Sequence, residues 1–289
     1  MEGVNRSLLT WPANKKCGKS ACSRLVISAN TARYLPAHQG DNVISFSNKT
    51  FLITGAAGGI ARATALLVAR HGANVALSDV NPSALETLQS ELRAQVPEAQ
   101  ISIHVTDVSD AQACRNVAQQ VAARFGGIDH LVHSAGIYPE KLVTDMTADE
   151  WHKLMQINLD GTFYICRAVI PFLTEGSSIV TLSSVAAQRG SYAHAHYAAS
   201  KGAVISFSRS LALELAPKTR VNALSPGIIA TPMTRDLLAK NEQALLQNTP
   251  LKRLGTAEEV AGGIAFLCSP LAGFITAETL QVNGGLYIN

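Results

Sequence analysis

Long apolar runs are missing from this chain. None reaches the roughly 18 residues that a membrane-spanning helix needs, so the sequence is expected to be soluble and free of membrane partners. Cysteine is also scarce: Cys17, Cys22, Cys114, Cys166 and Cys268 are five in 289 residues, an odd and scattered set. That argues against a disulfide framework and for a reducing compartment, and the expected location is the cytoplasm. Cys17 and Cys22 have no second nearby pair of Cys or His, so no metal site is expected. An excess of one charge is lacking too. With 24 basic and 21 acidic residues the net charge is +3, which gives no electrostatic footprint for nucleic acid. There is no internal repeat and no low-complexity linker.

What charge there is lies unevenly. Residues 1–48 carry Arg6, Lys15, Lys16, Lys19, Arg24 and Arg33 against Glu2 and Asp41. They show no core-forming pattern, and Leu8-Leu9-Thr10-Trp11 is too short for the apolar centre of a secretory signal. An organelle transit peptide, a flexible tail and an upstream start are all compatible with this basic, Ser-rich composition. Cys17-Gly18-Lys19-Ser20 imitates the end of a phosphate-binding loop. Ala13 stands where that motif needs its first glycine, and no strand precedes it, so it is set aside. Residues 1–48 are read as an extension and residues 49–289 as one domain.

From Thr50 onward, short apolar runs alternate with helical stretches. Strands are predicted over Phe51–Thr54, Asn74–Ser78, Ile101–Val105, His130–His133, Ser178–Leu182, Arg220–Leu224 and Thr279–Val282. Gly, Asp, Asn and Pro bound them. The runs are almost continuously apolar, which implies a sheet covered on both faces. Helices are predicted over Gly59–His71, Ser83–Ala94, Ala111–Phe125, Glu150–Leu173, Tyr197–Ala216 and Ala257–Ser269, with starts near Asp107–Asp110 and Thr256–Glu259. Strand–helix alternation with right-handed crossovers gives an α/β, Rossmann-like doubly wound parallel sheet of about seven strands with helices on both faces.

Two patterns carry chemistry. Tyr197 and Lys201 are four apart in Tyr-Ala-Ala-Ser-Lys, so a helix places both on one face. An ammonium beside a phenol favours phenolate and is expected to lower the tyrosine pKa from its usual value of about 10. Ser184, thirteen residues upstream at a strand end, offers a second hydroxyl to the same reacting oxygen. The second pattern is Thr54-Gly55-Ala56-Ala57-Gly58-Gly59-Ile60-Ala61, which follows the first strand and opens the first helix. Small residues there admit a pyrophosphate, and the helix N-terminus faces it with free N–H groups. Asp79 ends the second strand, 24 residues after Gly55. A carboxylate there accepts from both adenosine ribose hydroxyls and repels a 2′-phosphate, which favours NAD over NADP.

With Asp107-Val108, Ser134-Ala135-Gly136, Asn158, Ser183-Ser184, Pro226-Gly227 and Val282-Asn283-Gly284-Gly285, these motifs resemble the short-chain dehydrogenase/reductase family, in its order and spacing, over residues 49–289. Ala61 replaces the family's last glycine, and His133-Ser134 replaces its usual Asn-Asn pair. His133 either takes over the lost bonds to the central sheet or is a core histidine. The resemblance implies a nicotinamide cofactor, with Asp107 at the adenine amino group and Val108 on the ring. It implies close backbone approach at Ala135 and Gly136, the carboxamide at the Ile229 backbone, and Thr231 on that group or the pyrophosphate. Asn158 is expected to distort its helix and hold a water serving Lys201. The family also implies a homo-oligomer, tetramer or dimer.

The expected activity is NAD(H)-dependent interconversion of a secondary alcohol and a ketone, with Tyr197 as acid/base. The alternatives are a catalytically idle dinucleotide-binding sensor or scaffold and, more remotely, a sugar-nucleotide epimerase. Intact Asn158, Ser184, Tyr197 and Lys201 argue against the first. The short chain after Lys201 argues against the second. Met233–Thr249, with Met233, Leu237, Leu238, Leu245 and Leu246, is expected to form a substrate lid. His194 and His196 flank the site.

Overall fold

The computed structural model describes residues 44–288, apart from the side chains at positions 236, 237 and 240–242. The basic extension therefore lies outside the described residues up to position 43. Residues 44–48, counted with it above, pack on the body. Phe46 is fully buried, its N–H donates to the His71 carbonyl at 2.8 Å, and its ring meets Phe51 edge-on at 4.8 Å.

Seven parallel strands form one sheet in the order β3-β2-β1-β4-β5-β6-β7. They are β1 (Thr50–Thr54), β2 (Asn74–Asp79), β3 (Ile101–Val105), β4 (Ile128–His133), β5 (Leu173–Leu182), β6 (Thr219–Pro226) and β7 (Thr279–Val282). The helices are α1 (Gly59–Arg70), α2 (Pro82–Gln95), α3 (Ala111–Phe125), α4 (Ala148–Met155), α5 (Gly161–Val169), α6 (Ala186–Arg189), α7 (Ala195–Leu215), α8 (Arg235–Asn248) and α9 (Ala257–Cys268). Successive strand residues face opposite sides. Phe51, Ile53, Val75, Leu77 and Val180 pack with Ala61, Ala65 and Val68 of α1 and Val260 and Ile264 of α9. Leu52, Leu131, Ile179 and Val221 pack with Val117 of α3, Ile165 of α5 and Leu211 of α7. Burying each such side chain contributes about 1.5–3 kcal/mol.

Local signals set the helix ends. Asn81 caps α2, whose first residue is Pro82, where a missing N–H costs nothing. Asp110 accepts from Gln112 and Ala113 to start α3. Thr256 and Glu259 make a reciprocal capping box at α9.

The single helix predicted over Glu150–Leu173 is broken. Gln156–Asp160 widens into a π turn, Ile170–Phe172 tightens into a 3-10 turn around Pro171, and Leu173 already begins β5. Apolar periodicity runs across these breaks, while the breaks answer tertiary contacts. Asn158 is held from outside the helix, and a side chain at Gly161 would lie 2.9 Å from Val108 Cγ2. Strand order reverses between β1 and β4, so the ends of β1, β4, β5 and β6 open onto a shared crevice, where such sheets bind ligands.

Candidate active site

The turn after β1 is shaped by close backbone approach. Gly55 has φ +64, and a Cβ there would sit 2.7 Å from the Ala135 Cα, so only glycine fits between the ends of β1 and β4. A Cβ on Gly59 would lie 2.9 Å from Thr231 Cγ2, which places the start of α1 against the segment after β6. α1 has no side-chain cap and no acid in its first turn, so its positive end is uncompensated by its own side chains. Asp79 is fixed beside this turn. Its two oxygens accept from the Ala57 and Asn81 amides, each at 3.0 Å. Asp107, at the end of β3, accepts from the Ser109 amide at 2.9 Å and its hydroxyl at 2.7 Å. Val108 is buried against Gly161. These groups share the carboxyl edge of the sheet with the Gly-rich turn.

At the ends of β4 to β6, α7 delivers the tyrosine and the lysine. Tyr197 and Lys201 are both buried, and the ammonium lies 5.7 Å from the phenol ring centroid. Its hydrogen bond goes elsewhere: Nζ donates to the Leu182 carbonyl at 2.7 Å. The expected fall in the tyrosine pKa is not what this arrangement produces. Burial pushes the Tyr197 phenol up from 10.0 to about 12, the Ser184 hydroxyl pulls it partly back, and Tyr138 raises it. Burial likewise pulls Lys201 down from 10.5 to about 8. Loss of hydration penalises both charged forms, and spacing along a helix does not reveal that term. Tyr197 is therefore a firmly protonated acid beside a readily titrated amine.

Asn158 is fully buried, and its side chain is committed. Oδ1 accepts from the Ile137 amide at 2.8 Å, while Nδ2 donates to the Ile137 carbonyl at 3.0 Å and to Ser200 Oγ at 3.3 Å. It clamps the loop after β4 rather than reaching toward bulk solvent. A Cβ on Gly136 would lie 3.2 Å from Asn158 Oδ1 and 3.5 Å from Lys201 Nζ, so the missing side chain is the space in which loop, amide and amine meet. His133 does bond across the central sheet. Its Nδ1 pairs with Thr54 Oγ1 at 2.7 Å, and burial drops its pKa to about 3, so the ring is neutral.

A cavity of about 540 Å³ joins the two halves. It brings together the expected Ile60, Gly136, Ser184, Tyr197, Lys201, Pro226, Gly227, Ile229 and Thr231. Gly55, Gly59, Asp79, Asp107, Val108, Ala135 and Asn158 are not among the residues that line it. Met233 and Leu245 of the segment expected to form a lid line it, and most of that segment is the helix α8; the side chain of Leu237 lies outside the described ones. His194 lines the cavity, whereas His196 is buried away from it. Tyr138 and Ser191 lie in the segments 138–145 and 189–196 that the sequence places at the pocket border, although neither is named there individually. Tyr138 meets the Tyr197 ring edge-on at 4.6 Å and stacks on His194 at 4.0 Å. Its place two residues after Gly136 was the available signal.

Sheet order, Gly-rich turn and crevice define a dinucleotide-binding α/β oxidoreductase fold. A family model described as Enoyl-(Acyl carrier protein) reductase matches residues 55–287. The 3-oxoacyl-(acyl-carrier-protein) reductase FabG of Thermotoga maritima is 38% identical over 243 residues, 83% of this chain and 98% of that protein. A structure of a Brucella melitensis short-chain dehydrogenase/reductase, described as glucose/ribitol dehydrogenase, is 50% identical, with TM-score 0.82 over 85% of this chain and 99% of the other. NAD+-bound xylitol dehydrogenase is 31% identical, with TM-score 0.78 over 83% of this chain and 99% of the other. The chain belongs to the short-chain dehydrogenase/reductase family.

Proposed function

We propose that this protein is an NAD(H)-dependent oxidoreductase that interconverts a secondary alcohol and a ketone. The observation that carries the reading is the convergence of Ser184, Tyr197 and Lys201 on one cavity that Ile60, at the start of α1, also lines. The crevice suits a dinucleotide, since a Cβ at Gly55 would close the turn against Ala135 and the first turn of α1 carries no acid to repel a pyrophosphate. Gly55, Gly59 and Ile60 would hold the pyrophosphate side. Asp107, Val108, Ala135 and Gly136 would border the adenosine half, and Pro226, Gly227, Ile229 and Thr231 the nicotinamide half.

The chemistry supplied by a bound nicotinamide dinucleotide is hydride donation or acceptance. In reduction, the Ser184 and Tyr197 hydroxyls donate hydrogen bonds to the substrate carbonyl oxygen. That orients the carbonyl, and the phenol proton then passes to the developing alkoxide. Lys201, with its pKa near 8, exchanges protons close to neutral pH beside the ring and is suited to restore the phenol. Asn158 holds the loop that forms the cavity floor. Oxidation runs the same path backward, with Tyr197 receiving the proton.

The choice of NAD rests on Asp79. Two backbone amides hold its carboxylate at the edge of the Gly-rich turn, and Arg62, the first basic side chain of α1, is engaged by Glu91 at 2.8 Å. A 2′-phosphate there meets a fixed negative charge. The NAD+-bound state of the similar xylitol dehydrogenase agrees with this choice. Loss of nicotinamide absorbance with a ketone panel tests the reading: Tyr197→Phe is expected to reduce kcat by about 10²–10⁴-fold while NADH binding persists. A Tyr197→Phe enzyme of undiminished rate would refute the assignment.

A further inference from the structure

The cavity wall beside the reacting group holds a second polar constellation. Tyr138, Ser191 and His194 all line the cavity with Ser184 and Tyr197. His194 Nδ1 lies 2.6 Å from the Tyr192 carbonyl, 3.2 Å from Ser191 Oγ and 3.3 Å from the Tyr138 hydroxyl. A carbonyl has no proton to give, so the shortest of these contacts requires the proton on Nδ1. With that proton in place, neither hydroxyl can donate to Nδ1, although each can accept from it. As acceptors for their own protons the two hydroxyls then have, among the described residues, only each other, 3.4 Å apart. One can donate to the other. The remaining hydroxyl proton has no acceptor among the described residues, and it sits on the cavity wall. Stacking on His194 at 4.0 Å fixes the Tyr138 ring, and the edge contact with Tyr197 at 4.6 Å places it next to the reacting centre. Burial holds the Tyr138 phenol above its usual pKa, Ser191 pulls it partly back, and Glu140 raises it, so it stays a donor at neutral pH.

We infer that the Tyr138–Ser191 hydroxyl pair, keyed by His194, reads a second oxygen on the substrate close to the one that reacts, so that the substrates are hydroxyketones and their diol or polyol counterparts rather than simple ketones. The inference rests on the reading of the cavity as the substrate site of an oxidoreductase. A pair of hydroxyls sharing one internal bond has both a donor and lone pairs to offer. That suits an alcohol oxygen, which also gives and takes a proton. Substrates lacking that oxygen leave the pair unpaired in a half-buried wall, which a polar site discriminates against strongly.

The test compares kcat/KM for matched pairs, acetoin against butanone and hydroxycyclohexanone against cyclohexanone, in the wild type, Tyr138→Phe and Ser191→Ala. NADH binding followed by fluorescence reports that each variant is folded and loaded. The wild type is expected to prefer the hydroxyketone of a pair by about tenfold or more. Both variants are expected to lose most of that preference, chiefly through KM for the hydroxyketone. A general loss of packing would scale both members of a pair alike and leave their ratio unmoved. The inference is overturned if no pair shows a preference, if no hydroxyketone is turned over by NADH-loaded enzyme, or if the preference survives both substitutions. Failure of the underlying function looks different: NADH fails to bind, or Tyr197→Phe keeps full rate on every substrate.

Discussion

Replacing Lys201 by methionine separates the two roles of a buried amine, in chemistry and in stability. The ammonium is fully inside, with one bond to the Leu182 carbonyl at 2.7 Å. Burial lowers its pKa from 10.5 to about 8, and at 1.36 kcal/mol per pH unit that corresponds to about 3 kcal/mol against the charged form in the fold. Below about pH 8 the native and unfolded chains both carry the proton, and the full penalty is present. Between about pH 8 and pH 10.5 the unfolded chain holds the proton and the native chain does not, so wild-type stability rises with pH relative to a variant that cannot titrate there. Lys201→Met removes the penalty and also the bond to Leu182, a loss of about 1–3 kcal/mol. The variant is therefore expected to match or slightly exceed wild-type stability at neutral pH, and to lose about 2 kcal/mol relative to it between about pH 8 and pH 9.5. The range stops there because the lysine of the unfolded chain itself begins to lose its proton as pH approaches 10.5, and the difference levels off. Urea denaturation of both proteins at several pH values reads the difference directly. A stability gap independent of pH, or a variant much weaker at neutral pH, would refute the claim that desolvation governs this site.

The other expectations follow from single contacts. Because Tyr197 is held near 12, reduction is expected to proceed at an even rate from about pH 6 to pH 8, whereas alcohol oxidation rises with pH; an oxidation rate falling across that range in steady-state profiles would contradict the assignment. Asn158→Ala strands the Ile137 amide and carbonyl and is expected to cost about 2–4 kcal/mol in urea denaturation, with reduced kcat. Asp79→Ser is expected to lower KM for NADPH about tenfold or more against NADH; unchanged cofactor preference would remove the basis for choosing NAD. Gly55→Ala adds a Cβ 2.7 Å from the Ala135 Cα at a positive φ, and is expected to weaken NADH binding at least tenfold by fluorescence titration.

Much of the frame was legible along the chain, because strands and caps are local. Ile101–Val105 and Thr279–Val282 fall where alternation and bounding residues predict them, and Asp110 and Thr256 cap the helices they precede. The Gly-rich turn and the Tyr197–Lys201 spacing were equally readable, since both depend on neighbours within about one helical turn. The distortion at Gln156–Asp160 was expected only through the family resemblance at Asn158; spacing alone does not show the π turn, because it answers to Ile137, twenty-one residues away from Asn158. Nor does spacing show the Tyr138–Ser191–His194 group, as its members are brought together only when the loops after β4 and β5 meet. The direction of the Tyr197 shift lay furthest from the sequence. Spacing places an ammonium near a phenol, but only burial of both decides that lost hydration outweighs their attraction. Order, periodicity and turn chemistry thus belong to the chain itself; which polar groups meet, and how dry they are when they do, belongs to the packed molecule.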